Sequence, residues 1–226
     1  MKSLTLAMVV VLQTTATPAS DEARRVTTAA TVLEEVMDAP DQGVPRGIME
    51  KAEAVAVFPA LVKGGFVFGG QFGRGVISAR DRATGRWSAP AFLTIAGGSV
   101  GLQIGAQAVD LVLVVQDRRG LEQLVGNQFK IGADAGVAAG PVGRDASAAT
   151  DIQLRAKILS YSRTRGIFAG MTINGSTISQ DRDANGRFYG TRFTTRQVLF
   201  DGRAGSADPV PAWRATLARY AAPSAR

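Results

Sequence analysis

Between Ala54 and Ser78 the chain reads AVAVFPALVKGGFVFGGQFGRGVIS, and no other stretch constrains the fold as much. Val, Phe and Ile favour extended backbone. Gly64, Gly65, Gly69, Gly70, Gly73 and Gly75 interrupt them. That is too many glycines for an ordinary strand, because each removes side-chain packing and adds backbone freedom that folding must overcome. Within strands, glycine marks a bulge, a bend or the close approach of another backbone. The same texture returns at 97–105, 132–143 and 166–175. The expected fold is α+β: a glycine-rich, mainly antiparallel, curved sheet or barrel-like core with helices flanking it at both ends.

The leading helix begins at Ser20-Asp21. Either residue can accept from the free N–H groups of the first turn, and Asp21 and Glu22 suit the positive end of the dipole. Ala23, Val26, Ala30, Leu33 and Met37 recur at helical spacing, which predicts one apolar face. That face suits either a protein core or a membrane surface. Pro45 opens a short second helix. Ala54–Phe58 then reads as a strand ended by Pro59, and Gly64–Ser78 as the next. From Leu102 to Ala108 apolar residues alternate, and Leu111–Val115 is a continuous apolar run. Asp110 marks the change, where a bulge in its own strand would switch faces. Asp110 is read as a satisfied edge or bulge residue or, less simply, as a catalytic acid. Leu121–Val125 and Thr194–Phe200 predict short helices, and Phe129–Val142, Ile158–Ser162 and Ile167–Ile173 predict strands. A closing helix over Pro209–Tyr220 is anchored by Trp213, Leu217 and Tyr220.

Composition removes whole classes of chemistry. The chain has no histidine and no cysteine, so a thiolate nucleophile, an imidazole base, a disulfide and a Cys/His zinc site are excluded. The glycines form no phosphate loop: Lys63 precedes its glycine pair rather than following one. Asp134, Asp145 and Asp151 lie near one another in sequence, but nothing makes them converge. Residues 181–186, DRDANG, match the start of a calcium loop. The twelfth position, where a bidentate Glu belongs, is Arg192, so a hairpin turn is the expected structure. No enzyme, cofactor or metal is expected.

The net charge of +7 points to an anionic partner. The basic residues are scattered and lack the aromatic interleaving of a nucleic-acid platform, so nucleic acid is not expected. Lys2, the apolar run Leu4–Leu12 and the small residues up to Ser20 have the layout of a secretory signal. The expected organisation is a signal over 1–20 and a single domain over 21–226, placed in the periplasm or at the envelope membrane.

Five blocks carry a family likeness: AVAVFPALVKGGFVFGG (54–70), GVISARDRATGRWSAPAF (75–92), GGSVGLQIGAQAVDLVLVV (97–115), GADAGVAAGPVGR (132–144) and ILSYSRTRGIFAGMTINGS (158–176). In this order they resemble the SYLF domain, a Ysc-type actin-binding or lipid-binding domain, with the best-matching core over 45–200. The resemblance implies a membrane-binding module without catalytic residues, and in some members actin binding. The partner expected here is therefore anionic phospholipid, met by Arg24, Arg25, Lys51 and Lys63 and by the apolar face of the 21–37 helix. The alternative is a non-catalytic protein-interaction or envelope-scaffold module.

Overall fold

The computed structural model describes residues 20–39, 43–65, 68–100, 105–131, 136–141, 156–164, 167–169 and 175–222. The proposed signal up to residue 19 and the carboxylates Asp134, Asp145 and Asp151 lie outside the described residues.

Two helices lead, α1 (Asp21–Met37) and α2 (Arg46–Glu50). Four long strands follow: β1 (Ala54–Gly65), β2 (Phe68–Ala79), β3 (Ala91–Val100) and β4 (Gly105–Val115). Next come α3 (Arg118–Leu124), β5 (Gln128–Lys130), β6 (Val137–Ala139), β7 (Ile158–Thr164), β8 (Ile167–Ala169) and β9 (Ser176–Gln180). Three helices close the chain: α4 (Arg182–Tyr189), α5 (Thr195–Phe200) and α6 (Val210–Ala221). The strands form one curled sheet in the order β5-β9-β3-β2-β1-β4-β7-β6, with β8 on β7. Pairing is antiparallel except between β6 and β7. The expected α+β sheet with helices at both ends is what forms.

One half of this sheet is buried on both faces. Ala56, Phe58, Ile77, Leu93, Leu111 and Leu113 point inward, onto α3, β5 and α5. Val55, Val57, Val76, Phe92, Val112 and Val114 point outward, onto α1, α2 and α6. Two-sided cover explains the unbroken apolar run Leu111–Val115, because both parities of a strand are then core. No change of phase occurs in β4. Val109, Leu111, Leu113 and Val115 keep to one side throughout.

The bulge lies instead in β1, opposite Asp110. Pairing with β4 steps from Phe58↔Leu111 to Leu61↔Val109, leaving one extra residue at Pro59-Ala60. Pro59 therefore does not end the strand. A proline lacks the N–H that a central ladder needs, and a bulge is where that loss is tolerated. Ala60 takes a left-handed φ of 49°, and its N–H donates to Asp110 Oδ1 at 2.9 Å. Asp110 is thus satisfied, but from the strand opposite the bulge and not within it, and its other oxygen, Oδ2, accepts from Arg163 at 2.9 Å.

The end helices form where the sequence places them, although the buried face of α1 is Val26, Ala29, Val32, Leu33 and Val36, with Ala23, Ala30 and Met37 only partly buried. Ser20 Oγ accepts from the Ala23 N–H and caps α1. In α6, Trp213 donates to Ser78 Oγ at 2.8 Å and Tyr220 to Asp38 at 2.8 Å. Burial and the Asp38 carboxylate push the Tyr220 phenol up to about 12. The DRDANG segment is not a hairpin. Asp181 accepts from the Ala184 N–H and caps α4, and the buried Asn185 bridges the Phe92 N–H and the Phe193 carbonyl. Strand β9 was not anticipated from the sequence.

A Cβ on Gly75 would collide with the Val57 carbonyl oxygen and the Phe58 ring, whereas one on Gly70 meets nothing closer than a carbonyl oxygen at 3.9 Å. In chemical denaturation, Gly75→Ala is expected to lose about 2 kcal/mol or more, and Gly70→Ala less than about 0.5 kcal/mol. Equal effects would refute the close approach of β2 to β1.

Candidate functional site

Beyond the bulge the parity of β1 is reversed: Leu61 and Lys63 face inward, and Val62 faces outward. Register then sets Ala108, Val62, Phe72 and Ala96 side by side across β4, β1, β2 and β3. All four are exposed. Val62 and Phe72, directly opposite each other, are 51% and 49% exposed and are the large apolar side chains left open among the described residues. The neighbouring row, Gly64, Gly70 and Gly98, carries no side chains. Past the reach of the helices, the outer face is therefore flat, apolar and bare.

Arginines rim this face. Arg74, two residues from Phe72 on the same side, stacks over the Phe72 ring at 5.9 Å. Between β2, β3, β9 and α4 lies a polar cleft of about 380 Å³ lined by Arg74, Arg182, Arg187 and Arg192 with Asp181 and Asp183. Three nearby cations have acidic partners: Arg192 with Asp183, Arg187 with Glu22 at 2.7 Å, and Arg25 with Asp181 at 3.6 Å. Among the described residues, no carboxylate pairs with Arg74 or Arg182. The rim carries five arginines against three carboxylates, a local excess of positive charge.

The residues predicted from sequence do not gather into one patch. Arg24 is exposed and pairs with Asp21 one turn away, an ion pair of little energetic weight. Arg25 is only 10% exposed and lies over the Phe92 ring at 5.3 Å. Burial lowers its guanidinium pKa, against the opposing pull of Asp181 and Glu22. Lys51 is exposed beyond the end of α2, and Lys63 is half-buried past the bulge. The two sit at opposite ends of β1, roughly 35 Å apart along the strand. Lys63 faces inward with Gln71 and Gln107 across from it, and burial lowers its amine pKa. The apolar face of α1 is not open to a membrane either, because Val26, Ala29, Leu33 and Val36 are fully buried against the sheet. Sequence reasoning missed Val62, Phe72, Arg74 and Arg182. Strand pairing places Val62, Phe72 and Arg74 together, and α4 brings Arg182 to the same cleft; the signal that could have led there was a proline inside an otherwise continuous strand.

Among the described residues no group of three acidic side chains is set to hold a metal, and no helix is long and apolar enough to cross a membrane. Fold and site define a curled, mainly antiparallel sheet domain whose ion pairs hold its frame and whose open face is apolar and edged with arginine. The chain belongs to the Ysc84 family, described as Las17-binding protein actin regulator, whose profile matches residues 96–220. It is 34% identical over 177 residues to LAS seventeen-binding protein 3 of Saccharomyces cerevisiae, covering 76% of this chain and 37% of that one. Protein YSC84 of the same yeast is 34% identical over 178 residues, covering 75% and 37%. SH3 domain-containing YSC84-like protein 1 of Mus musculus is 32% identical over 162 residues, covering 71% and 47%. The chain thus spans less than half the length of these relatives. These names describe binding and actin regulation rather than a reaction.

The bulge clamp beneath the site is open to test by denaturation. Asp110→Ala leaves the Ala60 N–H without its acceptor and Arg163 with Glu35 alone, and is expected to cost about 2 kcal/mol. Ala60→Gly removes the left-handed strain and is expected to add about 0.5–1 kcal/mol. A destabilised Ala60→Gly protein would refute the bulge geometry.

Proposed function

We propose that the domain docks reversibly on anionic phospholipid, at the cell envelope after removal of the first 20 residues. The observation that carries this reading is the pair of half-exposed, cross-strand neighbours Val62 and Phe72 beside Arg74. Two such side chains, sunk into the acyl boundary, contribute about 2 kcal/mol at 25 cal/mol per Å². Each arginine near an anionic surface adds about 1 kcal/mol. With Arg74 and Arg182, the two without a carboxylate partner, the sum is roughly 4 kcal/mol, which gives weak, salt-sensitive attachment rather than permanent anchoring. This contact replaces the helix insertion expected from sequence, since the core already uses the apolar face of α1.

A second reading is supported by the family description: the same face meets an actin-associated protein. Area weighs against it as the sole contact. Four exposed residues in one row cover far less than the roughly 800 Å² per partner of a standard stable interface.

Flotation with vesicles containing phosphatidylglycerol, against neutral phosphatidylcholine vesicles, tests the first reading. The protein is expected to float only with the anionic vesicles and to be released by salt. Val62→Ser with Phe72→Ser, and Arg74→Glu alone, are each expected to weaken binding about tenfold. Arg24→Glu, away from the face, is expected to change it little. Equal failure with both vesicle types, together with co-sedimentation with purified filamentous actin, would sink the lipid reading and leave the second.

A further inference from the structure

A second depression lies on the other side of Phe72 and Arg74. It is a cleft of about 330 Å³ between α1 and the β1–β2 ladder, walled by Pro59, Val62 and Phe72 and lined also by Arg25, Thr28 and Arg74. That volume is at the lower end of the range for small-molecule sites. The cleft has no acidic lining residue, yet two arginines line it, Arg25 from α1 and Arg74 from β2.

Arg25 is the unusual one. Its side chain is nine-tenths buried, and its Nη1 is sealed from solvent without a hydrogen-bond partner. Asp181 Oδ2, at 3.6 Å, gives electrostatic compensation but lies too far for a hydrogen bond. Arg74 and Arg187 both repel the Arg25 charge. A buried guanidinium without full compensation is costly; with Nη1 turned to Asp181, Arg25 lends the cleft that it lines a positive charge that is only partly balanced. Arg74 has no carboxylate partner among the described residues.

We infer that this cleft binds a small hydrophobic carboxylate, with the carboxyl group between Arg25 and Arg74 and the hydrocarbon body along Pro59, Val62 and Phe72. Charge balance selects one negative charge. Arg25 is already shared with Asp181, so the lining carries an excess of about one positive charge, which a monocarboxylate neutralises. A dianionic phosphomonoester would leave surplus negative charge beside Asp181. The planar guanidinium fork matches a carboxylate in two parallel hydrogen bonds. The site shares Phe72 and Arg74 with the membrane face but requires no bilayer.

The test is calorimetric titration of the full chain with decanoate below its micelle concentration, in the absence of vesicles. Acetate and decanol serve as the head-only and tail-only controls. Saturable binding of decanoate is expected, at least about tenfold tighter than either control. Arg74→Met, at an exposed position, is expected to lose about tenfold for decanoate with decanol unchanged. Phe72→Ser is expected to weaken both. No saturable decanoate heat, equal affinity for decanol, or an unaltered Arg74→Met protein would each overturn the inference. A protein that floats on anionic vesicles but ignores decanoate sinks this site alone. One that binds decanoate without floating sinks only the membrane reading.

Discussion

One extra residue in β1 governs the rest of the structure. At Pro59-Ala60 the strand passes from a region buried on both faces to one buried on the inner face alone, and the bulge reverses its parity at that boundary. Without the reversal, the side chain at 61 would face outward and that at 62 inward, and Leu61 would be lost from the inner core it now completes. The bulge is held by a chain of polar contacts. The Ala60 N–H donates to Asp110, Asp110 pairs with Arg163, and Arg163 also pairs with Glu35 on α1. A single arginine thus ties the bulge in β1 to β4, β7 and the leading helix. This network is partly buried, and leaving any one of its groups unsatisfied would weaken the arrangement it fixes.

The same division explains where charge goes. The protein is strongly basic, but many of its arginines hold the frame. Arg187 reaches Glu22, itself only 4% exposed, and so fixes the N-terminal turn of α1 to α4. Arg25 joins α1 to the cap residue of α4, and Arg82 holds Glu53 just ahead of β1. Arg187 and Arg82, hydrogen-bonded to their carboxylates, cannot also serve an outside anion without loosening the fold, whereas Arg25, 3.6 Å from Asp181, keeps donors to spare. Net charge is therefore a poor map of a binding surface; the arginines left over after the internal pairs are counted are the better one.

Much of the architecture was legible in the sequence. Ser20, Asp21 and Glu22 announce α1 because capping is a local interaction, and the anchors Trp213, Leu217 and Tyr220 of α6 keep the helical period. The glycines near β2 signal close approach, as Gly75 against Phe58 shows. The failures share a cause. Pro59 reads as a stop and Asp110 as a phase change because the bulge that accommodates both is defined only by a partner strand 50 residues away. DRDANG reads as a turn because its Asn-Gly is a turn dipeptide, yet Asn185 is held in a helix by bonds to Phe92 and Phe193. Tertiary context overrode local preference there.

The candidate site was the least legible part, for a reason that follows from sheet geometry. Adjacency in sequence suggested Arg24-Arg25, but consecutive helical residues point about 100° apart, and here one is exposed while the other is buried. Val62, Phe72, Ala96 and Ala108 are far apart in the chain and carry ordinary strand residues, so nothing local separates them from core. Exposure comes from what is missing above them: α1, α2 and α6 cover the outer face only as far as the bulge. A face made by the limit of a helical layer has no motif. It becomes visible once register is known, and then a half-exposed phenylalanine opposite a half-exposed valine, with an arginine stacked on the ring, marks where the fold has stopped spending apolar surface on itself.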